Sequence, residues 1–148
     1  MDTERLIRSF DEHEVDYVVI GAAAFPVHGY ARATLDVDVF IRPTIENAKR
    51  VHRALSAFGY DLADVTTDDL LNTKLLIRQY ALQTDIHPFV AGVEFDRVWA
   101  GRVAGTIGTT RAWFASLDDL IAMKRAAGRP KDQEDLKYLV RLKERSSR

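Results

Sequence analysis

YVVIGAAAFPVHGYARATLDVDVF, running from Tyr17 to Phe40, is the stretch that decides how this chain folds. It reads as a buried strand, a glycine turn at Gly21, a short helix, and a second strand carrying Asp36 and Asp38. Positions two apart on a strand share a face, so both carboxylates point one way while Leu35, Val37 and Val39 point the other. Two unpaired carboxylates about 4 Å apart repel by roughly 4 kcal/mol at an effective dielectric near 20. A cation between them turns that repulsion into binding, and oxygen ligands so arranged suit Mg²⁺. The competing reading is a solvent-facing sheet edge, where two aspartates blunt strand pairing. Against it, aspartate is disfavoured in strands, and two on one face of a Val/Leu/Phe strand need compensation.

Working outward, Asp2 to Glu14 predicts a helix with Leu6, Ile7 and Phe10 on one side. Asp16 to Ile20 is the continuous apolar strand expected where both sheet faces are covered. Ala22 to His28 predicts a short helix, and Thr34 to Ile41 the strand that ends at Arg42-Pro43. Thr44 caps a helix to Phe58, and Gly59 stops it. Asp68 to Asn72 reads as a helical turn, and Leu75 to Tyr80 and Ala81 to His87 as two strands. Phe95 to Trp99 reads as a short turn, Gly101 to Gly108 as loop, and Arg111 to Phe114 as a further strand. Ser116 caps a helix from Leu117 to Ala127, with Asp118 and Asp119 favourable in its first turn. Gly128-Arg129-Pro130 breaks that helix. A last one runs from Lys131 to Lys143 with Leu136, Leu139, Val140 and Leu142 as its apolar face. The order predicts an α/β (α+β) domain, a small mixed sheet flanked by helices.

The chain has 148 residues, 47% hydrophobic and 29% charged, with a formal net charge of −1. That length fits one domain spanning 1–148, its C-terminal helices starting at about residue 117. No apolar run approaches the ~18 residues that span a bilayer, so no membrane partner is expected. The start, MDTERLIRSF, is amphipathic, with Asp2 and Glu4 among its first residues and no apolar core of the signal-peptide kind. Without cysteine there are no disulfides and no thiolate metal sites, which fits a cytoplasmic location. From Lys124 onward nine Lys and Arg stand against four Asp and Glu. This asymmetry marks either a partner surface or a solvated helix with a basic end.

Asp85, in Thr84-Asp85-Ile86-His87, is one more acid in a strand-like segment. On a neighbouring strand it would complete a carboxylate triad holding one or two Mg²⁺ ions, an arrangement suited to phosphoryl or nucleotidyl transfer. Gly21 lets the backbone approach a ligand, and the next helix offers amides to phosphate. Lys124 could project toward a triphosphate. His28 and His87 could be ligands or bases, yet no H-x-x-x-H or H-E-x-x-H spacing exists; for His28 a packed or hydrogen-bonded role is the simpler reading. No nucleophile elbow and no Walker lysine are present, which argues against an α/β-hydrolase or a P-loop NTPase.

These motifs together resemble the nucleotidyltransferase (polymerase-β-like) superfamily, most of all small prokaryotic members related to toxin-type and AbiEii-like nucleotidyltransferases. The matching pieces are Gly21-Ala22-Ala23-Ala24, His28-Gly29, Arg32, Thr34 and Asp36-Val37-Asp38. Further on, Thr84-Asp85-Ile86-His87, Leu120-Ile121-Ala122-Met123-Lys124 and Arg129-Pro130-Lys131-Asp132-Gln133-Glu134-Asp135-Leu136 also match. The resemblance implies a nucleotidyltransferase fold, Mg²⁺ as cofactor, and a nucleoside triphosphate (ATP or another NTP) donating its NMP to an acceptor hydroxyl. It implies metal binding at Asp36, Asp38 and Asp85, with Asp85 also activating the acceptor. It assigns the β- and γ-phosphates to Gly21 and the amides from Ala22 on, with Arg32 and Lys124 supplying charge and Asp132 orienting Lys124 or neighbouring basic groups.

One departure stands out: the family usually has Gly-Gly or Gly-Ser where this chain has Gly21-Ala22. Alanine loses a hydroxyl contact and adopts positive φ less cheaply than glycine. Three readings therefore follow. The first is a transferase acting on RNA such as tRNA, on a protein or on a small molecule. The second is a nucleotide- or partner-binding relative with a cognate partner in a toxin–antitoxin pair. The third is a metal-dependent phosphohydrolase.

Overall fold

A six-stranded mixed sheet in the order β3-β4-β2-β1-β6-β5 carries the protein. The computed structural model describes residues 2–146, so the domain bounds expected at residues 1 and 148 lie outside the described residues. The strands are β1 (Tyr17–Ile20), β2 (Asp36–Ile41), β3 (Leu75–Ile77), β4 (Gln83–His87), β5 (Val103–Ile107) and β6 (Thr110–Phe114). The helices are α1 (Asp2–Glu12), α2 (Ile45–Phe58), α3 (Thr67–Asn72), α4 (Phe95–Ala100), α5 (Leu117–Ala127) and α6 (Pro130–Ser146). This is the mixed α/β architecture with flanking helices that the motif order predicts, compatible with a nucleotidyltransferase-like fold.

Strands β1 and β2 pair antiparallel, Tyr17 against Ile41 through Ile20 against Asp38. On their outer sides β1 pairs parallel with β6, and β2 parallel with β4. Strand β2 is thus interior, which rules out the sheet-edge reading of its two aspartates. All four residues of β1 are buried, as its uninterrupted apolar run predicts. The pairing puts Tyr17, Val19, Val37, Val39 and Ile41 on one face, where Phe10 of α1 packs on Tyr17 with ring centroids 5.5 Å apart. Ser9 ties α1 to α2 by donating to the Ala54 carbonyl at 2.7 Å. The opposite face carries Asp36, Asp38 and Phe40, and Phe95 of α4 meets Phe40 edge-on at 5.2 Å.

Caps explain most helix ends. Thr44 accepts from the Asn47 amide and Ser116 from the Asp119 amide. Thr66 and Asp69 form a reciprocal capping box at α3. Pro130 opens α6, where its missing N–H costs nothing. Buried Asn47 also binds the Asp16 amide and carbonyl and the Arg42 carbonyl, tying the start of α2 to one end of the two central strands.

Several boundaries differ from the expectation. Helix α1 ends at Glu12 rather than Glu14, because Glu14 turns left-handed at φ 56° and the Val15 amide reaches back to the Phe10 carbonyl. The segment after β1 is two short 3₁₀ helices, Gly21–Ala24 and Pro26–His28, since Pro26 cannot continue an α-helix. Strand β3 stops at Ile77, short of Tyr80. Phe95–Ala100 is a helix rather than a turn. Residues 103–107, expected as loop, form strand β5, paired with β6 across the Gly108-Thr109 hairpin.

Candidate functional site

Asp38 on β2 and Asp85 on β4 are direct partners in the parallel ladder, so their side chains leave the sheet together on the face bearing Phe40. His87, paired with Phe40, lies two residues beyond Asp85 on that same face. Its Nε2 donates to Asp38 Oδ1 at 2.8 Å. Asp36 stands at the exposed start of β2, on the same face but outside this trio. Asp85 accepts a 2.7 Å hydrogen bond from Arg78, and that bond holds the guanidinium above its ordinary pKa.

The acids open into a cavity of about 470 Å³. Gly21 and Ala22 form one wall, lying just past Ile20, the pairing partner of Asp38. Gly21 has φ 68°, and a Cβ there would stand 2.9 Å from Asp38 Oδ2. The left-handed residue of the turn is therefore Gly21, and the conformational cost feared at Ala22 does not arise, since Glu14 is the one non-glycine with positive φ among the described residues.

The far wall comes from α5 and the start of α6. Lys124 Nζ lies 2.9 Å from Asp132 Oδ1 and 3.4 Å from Asp135 Oδ2. Asp132 is 1% exposed and also receives the Arg129 Nε at 2.7 Å and the Arg129 amide at 3.3 Å. The Arg129 hydrogen bond first, then Lys124, holds the Asp132 carboxyl far below the usual carboxylate range. Asp132 thus holds the Lys124 and Arg129 side chains together at this wall. Arg32 pairs with Asp135, whose carboxylate also accepts from Tyr30 at 3.1 Å. Tyr30 is sandwiched between Phe25 and Tyr138, with centroids at 5.2 and 4.2 Å, which seats α6 on the turn after β1.

All eight residues singled out for a site, Gly21, Ala22, Arg32, Asp36, Asp38, Asp85, Lys124 and Asp132, line this one cavity. Lys74, Arg78, Arg129, Lys131 and Asp135 join them there. Of the six cations, four are tied to carboxylates, and the side chains of Lys74 and Lys131 have no partner among the described residues. Sequence reading passed over Arg78, which stands in no spacing that announces its partner, and gave Asp135 a place in the matching stretch but no role. His28 is not part of the site: its Nε2 donates to the Ala115 carbonyl at 2.8 Å, in line with the hydrogen-bonded reading.

The donor set fits a divalent cation. Asp38, Asp85 and His87 each offer one ligand atom, all within 4.8 Å of one another. Asp36 adds a further carboxylate along β2, and Gly21 keeps the space beside Asp38 open.

A family model described as "Nucleotidyltransferase of unknown function (DUF6036)" matches residues 2–143. Comparison with curated proteins finds no match. Among the described residues, no helix is long and apolar enough to cross a membrane.

Proposed function

The chain belongs to this nucleotidyltransferase family, and from that premise we propose that it moves an NMP from an NTP to an acceptor hydroxyl in the cavity beneath β2 and β4. The observation that carries the reading is the side-by-side placement of Asp38 and Asp85, with Asp36 along the same strand face and cations opposite. In this reading Asp36, Asp38 and Asp85 hold one or two Mg²⁺ ions. Such ions supply charge stabilisation to both the attacking and the leaving oxygen. The Gly21-Ala22 amides, Arg32 and the rim lysines Lys74 and Lys131 bind and orient the triphosphate. Lys124, fixed by Asp132, faces it as a positioned charge. The acceptor oxygen attacks the α-phosphorus, the bond to the β-phosphate oxygen breaks, and pyrophosphate leaves. Asp85 takes the acceptor's proton.

For the acceptor we favour a polyanion such as tRNA. A second hollow, between α5 and α6, is lined by Arg125, Lys137 and Arg141 against the single acid Glu144. Phosphate contacts there would make binding salt-dependent. A second reading, a toxin–antitoxin member that holds nucleotide or a partner protein without transfer, draws on one observation: Lys124 is engaged by two carboxylates.

The test is incubation with α-phosphate-labelled NTPs, Mg²⁺ and candidate RNA, protein or small-molecule acceptors. Labelling that depends on the protein and disappears in Asp38→Asn and Asp85→Asn supports transfer. Nucleotide binding with no labelled acceptor favours the second reading.

A further inference from the structure

The face that carries Asp38 and Asp85 offers two kinds of ligand. Toward Asp36 every donor is oxygen, which suits Mg²⁺. Toward His87 the set becomes two carboxylates and an imidazole, each within 4.8 Å of the others. Mg²⁺ takes oxygen ligands and is a poor match for imidazole nitrogen, whereas first-row transition ions accept it. Mn²⁺, at the low-affinity end of that row, shares the carboxylate and water preference of Mg²⁺ and still tolerates a nitrogen ligand. The ring of His87 is 14% exposed, set in the sheet by its place on β4, and its Nε2 already points at Asp38 Oδ1. Little side-chain freedom would remain to be lost when it ligates.

We propose that His87 Nε2 is a direct metal ligand, so that the cavity holds two unlike cation positions sharing Asp38. The Asp38–Asp85–His87 position is selective for Mn²⁺ over Mg²⁺ and fills without nucleotide. The Asp36–Asp38 position is all-oxygen and needs the nucleotide's phosphates to complete its shell. Ligation needs the ring form with Nε2 bare and its N–H on Nδ1. The hydrogen bond to Asp38 is exchanged for a cation that both groups share. This inference rests on the site being a cation site, as the proposed function has it, and does not depend on transfer.

The experiment titrates the nucleotide-free full chain with Mn²⁺, following unbound Mn²⁺ by electron paramagnetic resonance and bound Mn²⁺ by pulsed measurement of nitrogen coupling. The expected result is one Mn²⁺ per chain with a directly coordinated nitrogen, whose coupling changes on ¹⁵N-histidine labelling. His87→Gln should weaken Mn²⁺ binding by at least about tenfold, since losing even an indirect partner of a ligand costs that much. Its Mg²⁺ affinity should move little, so the preference between the ions collapses. Asp36→Asn should keep the nitrogen-coupled Mn²⁺. Absence of nitrogen coupling in the wild type overturns the proposal, and so does loss of the signal in Asp36→Asn. Should His87→Gln fail to fold, the isotope test on the wild type still decides. A protein that shows the nitrogen signature but labels no acceptor keeps this inference and loses the transferase reading; one that labels acceptors with no nitrogen signature does the reverse.

Discussion

Gly21 and Asp38 face each other across the end of the β1–β2 pairing so closely that a Cβ on Gly21 would stand 2.9 Å from Asp38 Oδ2. The same glycine has φ 68°. One position therefore serves the backbone turn and keeps open the space a ligand of Asp38 would use.

Gly21→Ala should damage the protein in two separable ways. The left-handed backbone costs about 1–2 kcal/mol, which a denaturant titration would register. The displaced Asp38 carboxylate should lower divalent-cation affinity beyond what that destabilisation accounts for. Ala22→Gly is the control, expected to leave cation affinity unchanged because Ala22 has no positive φ to relieve. Equal cation binding in Gly21→Ala and wild type would refute the crowding argument.

Asp132→Asn removes a carboxylate that is 1% exposed and holds both Lys124 and Arg129. The loss should be about 3 kcal/mol, the low end for breaking a buried pair, since Lys124 keeps Asp135. The pH dependence follows from the depressed carboxyl. In the unfolded chain an aspartate takes its proton near pH 3.9, whereas the folded Asp132 stays ionised well below that. Its stabilisation is thus complete above about pH 5 and drains away as the medium becomes more acidic. Chemical denaturation of wild type and Asp132→Asn should converge at strongly acid pH, and parallel curves there would count against the assignment.

Lys74→Gln and Lys131→Gln should leave the melting temperature nearly unchanged, because neither side chain has a partner to lose among the described residues. Each should weaken triphosphate binding several-fold at low salt. The deficit should shrink as ionic strength rises and the Debye length falls toward about 8 Å at 0.15 M. Calorimetry at two salt concentrations reads this directly. A salt-independent deficit, or none, would remove these lysines from the phosphate path.

Phe40→Ala tests how α4 is held. Phe40 is 1% exposed and meets Phe95 edge-on at 5.2 Å. The cavity left behind should cost about 3–5 kcal/mol. Faster hydrogen exchange in α4 than in α1 should accompany it, and uniform exchange across both helices would contradict the packing described.

Much of this fold was legible because its central strands are short, rich in β-branched residues and bounded by turn residues. Val18, Val19 and Ile20 have no polar face, and Asp36 and Asp38 alternate with valines. Strand β5 was not legible, since Gly101, Gly105 and Gly108 read as loop. Gly105 is instead a packing requirement: a Cβ there would stand 2.7 Å from Val27 Cγ2 and 2.9 Å from a Phe114 ring carbon. The site divides in the same way. Asp36, Asp38, Gly21 and Lys124 stand in motifs that name them. The bond from Arg78 to Asp85 and the grip of Asp135 on Arg32 are products of tertiary packing. No local spacing connects Arg32 with a helix 103 residues further on.

The position of β1 between β2 and β6 governs when the protein can become complete. Strand β2 follows β1 almost at once, but Val19 must wait for Phe114 to close its other side. During synthesis or refolding, an early β1–β2 hairpin would keep one unsatisfied edge for most of the chain's emergence. Such an edge is a template for mispairing. Because α5 and α6 come later still, the carboxylates of β2 and β4 can adopt their register before any cation from Lys124 or Arg129 faces them. Closure of this non-local pairing, slow by the rules of chain topology, is the step at which an acidic half-site becomes an enclosed one.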